Sequence, residues 1–214
     1  MRPLQSIEEL MGGRQYVMHN GQFVFKSEHG YSIADVSEDR GYTVDDYMLL
    51  PEGAPFQLIN GKLTFMASPK IFHQDISFIL SGLFFNFLRT NPIGKFLVAP
   101  MDVHFDNKNV FQPDLLFVSN ERSHIIKDFV YGAPDLVVEI MSPGSKKLDT
   151  RDKMVVYGKY HVREYWLIDP NKKTVQVFEN QGDEMVEKQR LGKEERLESN
   201  VLQGFQLEVE LLFA

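Results

Sequence analysis

The stretch from Gly132 to Asp169 constrains the fold most, because it predicts a strand, a loop, a helix and a second strand in succession. Pro134–Met141 is an almost unbroken run of apolar, branched residues, which is typical of a strand covered on both faces. Residues 164–169, EYWLID, predict the next buried strand. A helix between two strands is a common connection of a parallel pair, so this stretch favours a mixed α/β fold.

Two charged residues of this stretch are hard to explain by packing alone. Glu139 lies inside the first apolar run, and burying an isolated carboxylate costs several kcal/mol unless it is paired or holds a metal. In the predicted helix, Lys153, Val156, Tyr157 and Tyr160 fall at i, i+3, i+4 and i+7, which places them on one face. We therefore expect Lys153 to lean toward the strand that carries Glu139.

The rest of the chain predicts a central mixed sheet flanked by helices, with β-hairpin extensions at both ends. We expect an appendage with one hairpin over residues 1–41 and one main domain over residues 42–214. The remaining predicted elements are two hairpins with Asn-Gly turns (16–25 and 56–65), two helices (43–50 and 68–89) and five strands (95–105, 113–118, 174–178, 185–191 and 205–212).

Composition limits the class of protein and the kind of metal site. The 214 residues are 43% hydrophobic and 25% charged, no apolar run approaches the ~18 residues of a membrane span, and the N-terminus does not resemble a signal peptide. We therefore expect a cytoplasmic protein without a membrane partner. The absence of cysteine excludes thiolate ligands and cysteine nucleophiles, so oxygen or imidazole must hold any metal.

The charge distribution argues against a generally basic nucleic-acid coat but allows a local one. The net charge is −7, whereas residues 144–163 contain six Lys or Arg residues against two Asp residues. Walker loops, dinucleotide-binding glycine motifs, nucleophile elbows and His-x-x-x-His spacings are absent. The sequence therefore gives no support to an NTPase, a dinucleotide enzyme, an α/β-hydrolase or a zinc protease.

Three residues form a pattern that carries chemistry. Asp114 opens the strand predicted at 113–118, and Glu139 lies in the strand predicted at 134–141. Two carboxylates are hard ligands for Mg²⁺ or Mn²⁺, the carbonyl of Ile140 would add a neutral ligand, and Lys153 would orient a water or offset charge at a phosphate. This set indicates phosphodiester hydrolysis.

Two other interpretations of the same residues remain open. In one, Asp114 caps a turn and Glu139 forms a buried ion pair with Lys153, with no chemistry. In the other, Asp114 and Glu139 are the acid and base of a glycosidase, which leaves Lys153 unexplained and predicts no need for a metal.

The order of the elements and the placement of Asp114, Glu139 and Lys153 resemble the PD-(D/E)xK nuclease superfamily, the restriction-endonuclease-like fold. More narrowly, GAPDLVVEIMSP, the downstream Asp149 and Lys153 with Tyr157, and EYWLIDP resemble the Uma family of proposed restriction endonucleases. FQLINGKLTFMASP, His73 and PDLLFV also occur in the family's order. The similarity extends over residues 42–178 and implies a nuclease that uses Mg²⁺ or Mn²⁺ on DNA.

This sequence departs from the resembled pattern at two positions. The superfamily usually places its lysine two residues after the acidic residue of the third strand, where this chain has Met141, so Lys153 resembles a lysine moved to the helix. The family usually has an acidic residue in the position of Gln57, which offers a carbonyl oxygen without charge. His73 is a candidate for phosphate contact or support of the site, with a helix-end histidine without chemistry as the alternative.

From these observations we expect a Mg²⁺-dependent endonuclease that hydrolyses DNA phosphodiester bonds. Asp114 and Glu139, with the Ile140 carbonyl, would hold the metal, and Lys153 would position the attacking water or stabilise the charged transition state. The alternative is a catalytically weak or inactive module of the same fold that binds nucleic acid or dimerises. A homodimer is expected, because a two-fold dimer most easily cuts both strands of a duplex.

Overall fold

The structure is a computed structural model that describes residues 16–19, 22–25, 41–48, 50, 53–66, 68–142 and 151–213. The Asn20-Gly21 turn and Asp149 lie outside these residues. The chain divides into two compact units, one of residues 1–67 and 106–111 and one of residues 68–105 and 112–214. The domain boundary expected after residue 41 stays a prediction.

The described helices and strands are named in chain order. They are β1 (Tyr16–His19), β2 (Gln22–Phe25), α1 (Val44–Tyr47), β3 (Phe56–Ile59), β4 (Lys62–Phe65), α2 (Ile71–Thr90), β5 (Gly94–Val98), β6 (Val103–Asp106), β7 (Asn109–Phe111), β8 (Leu115–Ser119), β9 (Val130–Tyr131), β10 (Leu136–Ile140), α3 (Lys153–Lys159), β11 (Glu164–Asp169), β12 (Thr174–Gln181), β13 (Glu184–Leu191), β14 (Arg196–Glu198) and β15 (Gln206–Glu208).

In the smaller unit, two local signals of the sequence are confirmed. Thr43 caps α1 through a capping box with Asp46. The side chain of each residue accepts a hydrogen bond from the backbone N–H of the other. Asn60 and Gly61 have φ angles of 50° and 74°, the left-handed conformation that a two-residue hairpin turn requires, and they connect the antiparallel strands β3 and β4. Within this unit β3 lies between β4 and β7.

The larger unit is built on a six-stranded sheet in the order β13-β12-β11-β10-β8-β5. Strands β10 and β11 run parallel, and the other neighbours in this sheet run antiparallel. The crossover between the parallel strands contains α3. The predicted mixed sheet and its parallel pair are therefore confirmed.

The long helix α2 covers one face of this sheet. Ile76, Leu80 and Phe84 are buried in one core with Val138 and Trp166 of the sheet. The helix begins at Ile71, so the start predicted at residue 68 is wrong. Lys70 occupies the N-cap position and makes no side-chain cap. Of the described helices, α2 alone is long and apolar enough to cross a membrane by length and composition, a test that core helices of soluble proteins also pass.

Other differences from the sequence expectations are local. The strand predicted over residues 95–105, with a disturbance near Pro100, is two separate strands, β5 and β6, which lie on either side of Pro100. The strand predicted over residues 205–212 ends at Glu208, and the chain continues as a 3₁₀ helix, Val209–Phe213. Strands β7, β9 and β14 were not predicted.

Glu164 joins β11 to the C-terminal part of the larger unit. Its fully buried Oε1 accepts hydrogen bonds from Trp166 Nε1 (2.5 Å) and Ser199 Oγ (2.7 Å). Its Oε2 accepts from the backbone N–H groups of Asn200 (2.8 Å) and Val201 (3.2 Å). Burial raises the pKa of Glu164 above its usual value, against the opposing effect of these four donors.

Gly158 lets α3 lie close to the turn between β12 and β13. A Cβ at this position would overlap the carbonyl oxygen of Asp183, and the Gly158 carbonyl accepts a hydrogen bond from Asn180 Nδ2 (2.7 Å). The absence of a side chain therefore sets the position of the helix that carries Lys153.

We expect Gly158→Ala to lower the free energy of unfolding by about 1–3 kcal/mol, because the added methyl group displaces α3 or the turn. Gly192→Ala is the matched control, since its Cβ would meet no atom closer than Glu195 Oε2 at 3.5 Å. Urea denaturation measures both. Equal stabilities of the two variants would contradict the close approach.

His104 of β6 is buried, and its ring stacks on Tyr131 with centroids 4.8 Å apart. Burial lowers the pKa of His104 below its ordinary value, and the nearby Asp102 charge opposes this shift. The unfolded chain therefore takes up a proton at a higher pH than the folded chain. Stability from this residue is present above the ordinary imidazole pKa and is lost as the pH falls through it.

As the pH is lowered from about 7 to about 5.5, we expect the free energy of unfolding to fall less steeply in His104→Gln than in wild type. The two slopes should differ by at most about 1.4 kcal/mol per pH unit. Chemical denaturation across this range measures the slopes. The control is Asn171→Gln, an exchange of one exposed amide for another, whose slope should equal that of wild type. If the slope of His104→Gln equals that of wild type, burial does not lower the pKa of His104.

Candidate active site

The centre of the candidate site is an ion pair between β10 and α3. Lys153 Nζ donates to Glu139 Oε1 at 2.8 Å, and the two side chains are only 3% and 4% exposed. The helical period predicted that Lys153 would lean toward this strand, and the structure confirms it. Because the pair is buried, its Coulomb attraction is screened far less than at the surface, while both charges have lost most of their hydration.

Tyr157 also binds the same carboxylate. Its hydroxyl donates to Glu139 Oε1 at 2.6 Å, while its ring packs against Tyr165 with centroids 5.1 Å apart. The sequence explained Tyr157 as a core residue without chemistry, and its hydrogen bond was missed. Its position four residues after Lys153, on the same face of α3, was the signal that it could reach Glu139.

Asp114 lies in a second polar cluster beside the first. Its Oδ2 accepts the backbone N–H of Ile140 at 2.7 Å and lies 3.2 Å from His73 Nε2. The Asp114 and His73 side chains are 18% and 12% exposed, so the carboxylate can still be reached from solvent. The bond to Ile140 shows that Asp114 does more than cap a turn after Pro113.

The two clusters meet where the pairing of β8 and β10 ends. The last paired residues of the register are Val138 and Leu115. Glu139 follows Val138 and Asp114 precedes Leu115, so the two acidic residues lie one step beyond the same pair. Glu139 and Ile140 are consecutive, and therefore the sites contacted by Lys153 and by Asp114 are adjacent on β10.

The other predicted site residues are placed as follows. Gln57 is buried within β3 of the smaller unit, where its cross-strand partner is Thr64, and its role at the site stays a prediction. Met141, in the usual position of the superfamily lysine, is buried, and its N–H donates to the Ile168 carbonyl at 2.8 Å. Position 141 therefore carries no charged side chain, unlike the corresponding position of the superfamily.

The donor set suits a hard cation in part. Asp114 and Glu139 offer carboxylate oxygens and Ile140 a carbonyl oxygen, and Mg²⁺ is commonly held by one or two carboxylates with water completing its shell. Among the residues that the structure describes, however, no cluster of three or more His, Asp or Glu side chains is arranged to hold a metal. Water would have to fill most of the coordination shell.

The mixed α/β fold is similar to that of a solved structure. The chain matches the crystal structure of "a putative nuclease belonging to DUF820" from Anabaena variabilis with a TM-score of 0.67 and 20% identity, over 80% of this chain and 97% of that one. The type IIG restriction endonuclease BpuSI matches with a TM-score of 0.34 and 13% identity, over 59% of this chain and 14% of that one, which is too weak to carry an argument.

Residues 44–210 match the family model described as "Uma2: Putative restriction endonuclease". The chain therefore belongs to the Uma2 family, as the resemblance of its motifs indicated. No curated protein matches the sequence.

The buried ion pair gives a test of what Lys153 does for the fold. We expect Lys153→Met to lower the free energy of unfolding by about 3–5 kcal/mol, because the Glu139 carboxylate stays buried without its ammonium partner. Urea denaturation in EDTA measures the loss. The double variant Glu139→Gln/Lys153→Met should recover part of it, since neither charge is then left alone.

Lys159→Met is the matched control on the same helix. Lys159 is exposed, with its ammonium 5.1 Å from the centre of the Tyr160 ring, and its replacement should change stability by no more than about 0.5 kcal/mol. If Lys153→Met lost no more stability than Lys159→Met, the ion pair would have no structural role.

Proposed function

We propose that this protein is a metal-dependent endonuclease that hydrolyses DNA phosphodiester bonds. The proposal is carried by the positions of the two acidic residues: Asp114 and Glu139 each lie one residue beyond the last pair of strands β8 and β10. The Lys153 ammonium forms an ion pair with Glu139. The family description supports the reaction class.

In this proposal, Asp114, Glu139 and the Ile140 carbonyl would hold Mg²⁺ or Mn²⁺. The ion would polarise a phosphoryl oxygen and lower the pKa of the attacking water. Lys153 supplies positive charge beside Glu139, where it stabilises charge that develops on the phosphate or orients the water. His73 contacts the Asp114 carboxylate at 3.2 Å and thereby fixes its orientation.

A second candidate is a module of the same fold that binds nucleic acid without cleaving it. It is favoured by the contacts of Glu139, whose Oε1 already binds both Lys153 Nζ and Tyr157 OH. Gln57, where the family usually has an acidic residue, and the net charge of −7 agree with this candidate. The two candidates differ in whether a divalent metal binds and in whether DNA is cut.

We expect the purified protein to nick supercoiled DNA in Mg²⁺ or Mn²⁺ and to stop when EDTA is added. Asp114→Asn should abolish both cleavage and the heat of Mn²⁺ binding in calorimetry, because the amide carries no charge for the ion. Its nearly equal shape still accepts the Ile140 N–H, so the thermal melt in EDTA should resemble that of wild type.

Asp183→Asn is the control for this experiment, since Asp183 is exposed on the turn between β12 and β13. It should bind Mn²⁺ and cleave DNA as wild type does. Wild-type binding of Mn²⁺ by Asp114→Asn would show that the metal site is wrongly assigned. DNA binding without cleavage in either ion would support the non-catalytic candidate instead.

A further inference from the structure

Helix α2 exposes large apolar side chains on the face opposite to its core face. Ile71, Phe78 and Phe85 are 83%, 81% and 64% exposed, whereas Ile76 and Leu80 on the other face are buried. Only 17% of the most apolar window of this helix is buried. Single exposed apolar residues are ordinary, but three large ones aligned on one helix face favour a surface that binds something.

The exposed residues of this face follow a strict seven-residue spacing. Ile71, Phe78 and Phe85 form one row, and a second row of exposed residues lies four positions after it. The two rows lie next to each other on one face of the helix, because residues four and seven positions apart share a face. We call this face the α2 seam, and its members are Ile71, Asp75, Phe78, Gly82, Phe85 and Arg89.

The α2 seam is complementary to itself in the antiparallel direction. Asp75 and Arg89 are each seven residues from Gly82, so a two-fold axis at Gly82 places Asp75 of one copy opposite Arg89 of the other, twice. A parallel pair would instead bring like charges together.

The two charged residues of the seam have no oppositely charged partner within the described part of the chain. Asp75 and Arg89 form no ion pair with another described residue, and the Arg89 guanidinium lies 6.0 Å from the centre of the Phe85 ring. Arg89 is therefore held on the seam, next to the apolar row. Two pairs of opposite charge would close the contact at its two ends.

Gly82 stands at the centre of the seam. A glycine inside a helix costs about 0.5–1 kcal/mol relative to alanine, and a Cβ at this position would meet no atom within 4 Å. No contact within the described residues therefore explains why a side chain is missing there. A glycine at a crossing point lets two helices approach to the short end of the usual interaxial distance of about 8–10 Å.

We propose that the α2 seam binds the α2 seam of a second copy of this chain, antiparallel about a two-fold axis at Gly82. A lipid surface fits the seam less well, because helices that lie on membranes are rich in Lys and Arg, and the seam has one Arg and an Asp between its apolar residues. The proposal does not depend on the nuclease activity, since it rests on α2 alone.

Charge exchange tests the pairing in the full chain. Sedimentation of wild type should show a dimer. Asp75→Arg and Arg89→Asp should each weaken dimerisation at least about tenfold, because each variant brings like charges together twice. The double variant Asp75→Arg/Arg89→Asp should restore the dimer. Glu121→Arg, at an exposed position outside α2, should dimerise as wild type does.

A covalent link tests the position of the axis. The chain has no cysteine, so Gly82→Cys introduces a single thiol. Two helices about 8–10 Å apart, each with a Cα radius of about 2.3 Å, bring facing Cα atoms to about 3–5 Å, which overlaps the range of a disulfide. Mild oxidation should give a covalent dimer of Gly82→Cys and none of Lys188→Cys on β13.

Several results would overturn the proposal. If the wild-type protein stays monomeric at about 100 times the protein concentration of the DNA-cleavage experiment, the α2 seam does not form a dimer interface. Failure of the double charge exchange to restore a weakened dimer would exclude the antiparallel pairing. Binding of the monomer to vesicles through Phe78 would assign the seam to a lipid surface. All variants replace exposed residues, so their folds should persist.

Discussion

The ion pair between Lys153 and Glu139 is the interaction on which the organisation of the larger unit depends. Two buried charges lose most of their hydration, and the loss is offset only in the arrangement that brings them together. Any other rotation of α3 about its axis would leave an ammonium and a carboxylate apart in an apolar core. The pair therefore fixes how the crossover helix lies on the parallel strands β10 and β11.

The environments of the two acidic residues differ, and the difference suits different tasks. Glu139 is held by the ammonium and the hydroxyl of α3. Asp114 is held by a backbone N–H and an imidazole, and it is the more exposed of the two. A cation or phosphate arriving from solvent would meet Asp114 first, while Glu139 and Lys153 would already be oriented by each other.

The sequence predicted the elements whose signals are local or periodic. An acidic residue in an apolar strand and a lysine on the apolar face of the next helix were enough to predict that Glu139 and Lys153 meet. The hydrogen bonds of Asp114 to Ile140 and of Tyr157 to Glu139 could not be derived, because periodicity gives the face of a residue but not the reach of its polar atoms. The missed strands β7, β9 and β14 have only two or three residues, which is too short for any period to show.

The hydrogen bonds of Glu164 have a consequence for the order in which the protein folds. This residue of a central strand finds three of its four donors at Ser199, Asn200 and Val201, which are 35 to 37 residues later in the chain. As the chain leaves the ribosome, β11 is complete well before these donors exist. Until they arrive, Trp166 Nε1 is the one donor present of the four, and burying the Glu164 carboxylate with the strand next to β10 costs free energy. The larger unit closes only when its C-terminal segment has been made, and contacts of such long sequence separation slow folding.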